Sequence, residues 1–164
     1  MHLTREENLA VDLRLHRPRV WARDLALIGA ASALPLALFS ALPPATVALA
    51  ALLAALGGAA IGALVPALLH RRVRRIPLFV LVPAAFGLGG AWAGGAALLA
   101  ALATGAPWVR FTELAATAGA AQLGWLWLPY AVGVARRGSS WPTVIAACAA
   151  APLVGWLAHV HVTW

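Results

Sequence analysis

The chain has 164 residues, 63% of them hydrophobic and 10% charged, with a mean hydropathy of +0.86. A soluble domain carries about a quarter charged residues, so this composition excludes one and points to an integral membrane protein. The net charge of +7 comes from twelve arginines and no lysine, set between long apolar stretches. With no soluble face to carry it, that charge excludes a nucleic-acid binder and reads as membrane topology and contact with anionic headgroups.

Residues 1–23 form a polar arm ahead of the first apolar run. Thr4 and Glu7 have capping-box spacing, followed by Leu9, Val11, Leu13 and Leu15, until Arg17-Pro18 interrupts the pattern. The arm is expected to be a short amphipathic helix on the cytoplasmic surface, serving either as a topological anchor or as a docking segment. The first apolar run is too long for a signal-peptide core and is expected to stay in the protein as a membrane helix.

Residues 24–164 are expected to form an all-α domain of five transmembrane helices, since about 20 apolar residues cross the hydrocarbon core. The first span covers 24–42 and ends at Pro43-Pro44, which cannot continue a helix. The second covers 46–70 and stops at Arg71, Arg72, Arg74 and Arg75. The third covers 76–104, the fourth 111–135 and the fifth 142–163, with Pro142 suited to a first helical turn. The third segment is long and carries Pro83 with Gly87, Gly89, Gly90, Gly94, Gly95 and, at its edge, Gly105. It reads as one tilted or kinked helix or as a re-entrant hairpin.

Charge decides for the single helix. Five spans place eleven arginines on one side and Arg110 alone on the other, a strong positive-inside asymmetry. A hairpin would leave Arg136 and Arg137 outside. The N-terminus is therefore expected in the cytoplasm and the C-terminus outside. Trp21 and Trp141 fall at inner boundaries, Trp108 and Trp164 at outer ones, where amphipathic rings favour the headgroup level. Headgroup contact is expected from Arg71, Arg72, Arg74, Arg75, Arg136 and Arg137. The arginine and alanine usage fits a GC-rich genome, and a bacterial cytoplasmic membrane is the expected location.

Lipid tails are as apolar as leucine, so small residues that let backbones approach must hold such helices together. Gly58-x-x-x-Gly62 in the second span and Gly90-x-x-x-Gly94 in the third are the specific candidates, for contacts within the chain or with another. No repeat relates the two halves, which weakens an inverted-repeat transporter.

Ionisable groups inside a span are functional candidates because central placement is costly. Asp24, beside Arg23, reads as a structural carboxylate near a helix N-terminus. Glu113 stands three residues after Arg110 and reads either as half of an interfacial ion pair or as a cation- or proton-binding carboxylate. His159 and His161 lie in the same predicted outer layer. Consecutive antiparallel spans would let Glu113 meet one of them, since residues two apart on a helix point in nearly opposite directions. Gln122, near mid-membrane, is expected to make an interhelical hydrogen bond worth about 1 kcal/mol.

Other signals are weaker. The sole cysteine, Cys148, lies in an apolar run and permits no intramolecular disulfide. His70 is at the opposite membrane face from His159 and His161, which argues against a bis-His haem. Leu128, Tyr130 and Arg136 match a loose cholesterol pattern that recurs by chance. There is no Walker loop or HExxH motif, and the sequence calls for no metal or other cofactor. The leading expectation is a non-enzymatic membrane subunit or accessory protein, with lipids and other subunits or further copies of itself as partners. The alternative is a small oligomeric transporter or channel using Glu113 with His159 or His161. A membrane enzyme acting on a lipid or quinone ranks last.

Overall fold

A computed structural model describes residues 18–72, 78–106, 110–134, 157 and 160, with side chains at 18–64, 87–106, 110–122, 157 and 160. The described residues form five helices of any length: α1 (Pro18–Ala31), α2 (Leu34–Phe39), α3 (Pro44–Arg72), α4 (Leu78–Thr104) and α5 (Phe111–Val134). No strand occurs among the described residues. Among the described residues, three segments are long and apolar enough to cross a membrane: Pro18–Phe39, Pro44–Leu64 and Gly87–Thr104. The arm motif at Thr4–Glu7 and, apart from Leu157 and Val160, the fifth expected span lie outside the described residues.

The first expected span differs from the observed one at its start and in its middle. Helix α1 begins at Pro18, whose missing N–H costs nothing at a first helical position. The helix then breaks at Ser32-Ala33, and α2 resumes with Pro35 in its first turn. Pro35 has no N–H to donate to the Ala31 carbonyl one turn earlier. Ser32 supports the break: its hydroxyl donates to the Gly29 carbonyl at 2.6 Å, and its N–H reaches the Ile28 and Gly29 carbonyls at 3.0 and 3.2 Å.

Ser40 closes α2, its hydroxyl donating to the Leu36 carbonyl and accepting the Leu42 N–H at 3.3 Å. Pro43 then receives the N–H groups of Thr46 and Val47 at 2.9 and 3.2 Å, so α3 starts with its first donors satisfied. The apolar run continues through Leu69, and the helix extends to Arg72.

Helix α4 is one continuous helix of 27 residues through Pro83 and the glycines, not a re-entrant hairpin. It ends in a Schellman motif. Gly105 adopts φ +63, the left-handed region that glycine enters at little cost. Its N–H bonds to Leu102 at 3.4 Å while the Ala106 N–H bonds to Ala101 at 3.0 Å.

The packing is inverted relative to a soluble bundle. Among the described residues, every buried hydrophobic is alanine apart from Trp21, Leu25, Ile28 and Leu36. The exposed large side chains include Leu38, Leu52, Leu56, Leu64, Leu88 and Leu102. Alanine inside and leucine outside is the arrangement expected where lipid solvates the exterior and close backbone approach holds the interior. Helix α3 packs on α1 and α4, α4 packs on α5, and α5 touches α1 and α2, which closes the bundle. Leu36, Ala50, Ala97 and Ala100 form one core cluster, with Leu114 against it. Ala93 and Ala121 form a second beside Ile61.

Candidate functional site

Among the described residues the α1–α3 seam brings backbone closest to backbone, and it flanks the one buried carboxylate. Trp21, Leu25 and Gly29 repeat every four residues and so lie along one face of α1. Gly29 meets the backbone at Ala54 and Ala55, Gly58 meets Leu25, and Gly62 meets Trp21 and Ala22. Each step of four along α1 is matched by four in reverse along α3, so the two helices run antiparallel in fixed register. Glycine from one helix or the other stands at every level. A Cβ at Gly58 would lie 2.7 Å from the Leu25 carbonyl carbon, and one at Gly62 would lie 2.6 Å from that of Trp21. Those obstacles are backbone and cannot swing aside.

Asp24 sits between Trp21 and Leu25 in α1 and is fully buried, at 0% exposure. Its Oδ1 accepts from Arg23 Nε at 2.9 Å and from Nη2 at 2.8 Å. The Arg23 side chain is 47% exposed, so the pair joins a buried anion to a cation that reaches the surface. Asp24 Oδ2 is buried with no hydrogen-bond partner. An orphaned carboxylate oxygen is costly in an apolar interior. This is the one ion pair among the described residues.

Glu113 lies in the first turn of α5. Its Oε2 accepts the backbone N–H of Arg110 at 3.2 Å, the reach-back half of a capping box. The two side chains do not form the ion pair their spacing suggests; the carboxylate satisfies an unpaired helix-end donor instead. His159 and His161 lie outside the described residues, as do Arg74, Arg75, Arg136 and Arg137. Arg71 and Arg72 are the last two residues of α3.

The four glycines singled out for packing occupy different settings. Gly58 and Gly62 face backbone. A Cβ at Gly90 would meet only the Gln122 amide, at 2.8 Å from Nε2, and one at Gly94 would make ordinary contact with Leu114 at 3.8 Å. Gln122 therefore covers Gly90 across the α4–α5 contact, and no hydrogen bond of its side chain forms among the described residues. An interhelical hydrogen bond comes from Trp92, whose Nε1 donates to the Ala54 carbonyl at 3.3 Å while the indole lies over Gly57. A second polar tie joins the buried Thr46 hydroxyl to that of Thr104 at 2.7 Å.

Sequence reasoning missed the burial of Asp24, the Trp92 bond and the threonine pair. Asp24 had a signal, as the only acidic residue within the first apolar run. The Thr46–Thr104 pair had none, because two threonines 58 positions apart meet only once the helices are docked. Between the α1–α2 break and the start of α3 lies an open apolar groove of about 340 Å³, bordered by Ala30, Ala33, Leu34, Ala37, Leu42 and Val47. Among the described residues no three His, Cys, Asp or Glu side chains gather at one place. The chain matches no protein-family model, no curated protein and no solved structure.

Proposed function

We propose that this protein is a non-enzymatic subunit or accessory protein of a larger membrane assembly. In this reading five helices cross a bacterial cytoplasmic membrane, with the N-terminus inside and residues 1–23 as a cytoplasmic docking arm. The supporting observation is the solid α1–α3 seam, where backbone meets backbone at three successive levels. A bundle closed to that degree suits a scaffold whose outward leucines, such as Leu38 and Leu102, meet lipid or neighbouring helices.

The test is assembly size, compared between Gly58→Leu and Glu113→Gln in native gels of mild membrane extracts. Loss of the large species in the glycine variant, with Glu113→Gln unchanged, supports the subunit reading. Normal assembly in Gly58→Leu, or loss in Glu113→Gln, contradicts it.

A small oligomeric transporter or channel is the second reading, and one observation favours it. A buried carboxylate with an unpartnered oxygen inside an apolar segment, as at Asp24, is a default functional candidate. Glu113, with His159 or His161, would then be the outer group and Asp24 the inner one. Transport that survives both Asp24→Asn and Glu113→Gln would remove this reading.

A further inference from the structure

We propose that Arg19 and Arg23 form a site for the phosphate of an anionic membrane phospholipid, with a hydrocarbon chain of that lipid lying along Leu27. The proposal rests on insertion of α1 in a membrane, not on the subunit reading.

Residues 19, 23 and 27 repeat every four positions and so share one face of α1. That face is exposed: Arg19 lies at the surface, the Arg23 side chain is 47% exposed and Leu27 is 41% exposed. The Trp21–Leu25–Gly29 face is the one taken up by α3. Exposed leucine continues past the break at Leu34 and Leu38.

Depth separates the two parts of the stripe. No Asp, Glu, Lys or Arg stands between Asp24 and Arg71, so Arg19 and Arg23 lie at the polar edge of the apolar run, at headgroup level. Leu27 lies one turn beyond Arg23, about 6 Å further in, among the acyl chains. A ligand with a phosphate at one level and hydrocarbon at the next is a phospholipid rather than free phosphate.

The charges favour an anionic headgroup. Two guanidiniums one turn apart concentrate positive charge at one level, and Arg19 adds a planar donor fork of the kind that matches phosphate oxygens. Arg19 stands in the first turn of α1, where the helix dipole adds positive potential. Asp24 lies behind the pair rather than on its surface. Its Oδ1 takes the Nε and Nη2 hydrogens of Arg23 and so orients that guanidinium before a lipid arrives. Its burial at 0% exposure keeps the negative charge off the face the phosphate would meet.

Native mass spectrometry of the detergent-purified full chain, titrated with phosphatidylglycerol or with phosphatidylcholine of the same acyl chains, tests this. The wild type should bind the first phosphatidylglycerol more tightly than phosphatidylcholine, each arginine contributing about fivefold. Arg19→Gln should lower the preference about fivefold. Arg23→Gln combined with Asp24→Asn, which avoids stranding the buried carboxylate, should do the same. Arg110→Gln, which removes an exposed arginine on the opposite expected side, should leave the first binding event unchanged, and excess glycerol phosphate should not displace the lipid. Retained preference in Arg19→Gln, loss of it in Arg110→Gln, or displacement by glycerol phosphate would each overturn the proposal. Arg19→Gln lies outside the ion pair, so the test survives if the Arg23/Asp24 variant fails to fold.

Discussion

The Leu25 carbonyl and the Gly58 Cα meet so closely that a single added methyl has nowhere to go. A Cβ built at Gly58 would stand 2.7 Å from the Leu25 carbonyl carbon. Both atoms belong to helical backbone, so relief requires α1 and α3 to separate along a seam that also includes Gly29 and Gly62. Gly58→Ala should therefore cost about 1–3 kcal/mol, the range for overpacking. Gly94→Ala, with its nearest obstacle at 3.8 Å, should stay within about 0.5 kcal/mol of wild type. Gly90→Ala should fall between them, because the Gln122 amide can swing away. Reversible denaturation of the three variants in mixed micelles gives the order.

The Arg23–Asp24 pair predicts an asymmetry. Arg23→Gln leaves a buried carboxylate with neither guanidinium donor, and should cost about 3 kcal/mol. Asp24→Asn leaves a half-exposed arginine that can turn to headgroups or water, and should cost about 1 kcal/mol. The double variant should be more stable than Arg23→Gln alone. A double-mutant cycle in the same micelles measures this coupling, and equal single-mutant losses would show that Asp24 is not held as described.

Trp92→Phe keeps an aromatic ring over Gly57 and deletes only the donor to the Ala54 carbonyl. A loss of about 1 kcal/mol is expected, read by thermal unfolding in detergent. A neutral outcome would mean that ring packing, not the Nε1 bond, ties α4 to α3.

Thr46→Val and Thr104→Val should each destabilise slightly, with a coupling of about 0.6 kcal/mol, typical of hydrogen bonds between membrane helices. Thr104 also donates to the Ala100 carbonyl at 2.8 Å, so its variant loses an internal bond too and should be the costlier of the two.

Much of the helical outline was legible in the sequence, for reasons that particular residues make plain. Pro43-Pro44 marks the end of one apolar run and the start of another, and Gly105 ends α4 through its left-handed backbone. The break at Ser32-Ala33 had a signal in Pro35, but the run around it is apolar enough to read as unbroken. The partners of the glycines were not legible. Gly58 and Gly90 share one spacing motif, yet the first faces backbone and the second a flexible amide, because the facing residue belongs to another helix. Glu113 shows the same limit: its distance from Arg110 suits a side-chain pair or a backbone cap equally, and the helix-end donor took the carboxylate.

The central claim is that this bundle serves as one component of a larger assembly. Native mass spectrometry of the tagged protein, extracted mildly from its own membrane, tests that most directly. The account predicts a mass that includes a different membrane protein in fixed stoichiometry. A homo-oligomer or a monomer with lipid alone would contradict it, and would turn attention to Asp24 and Glu113 as transport groups.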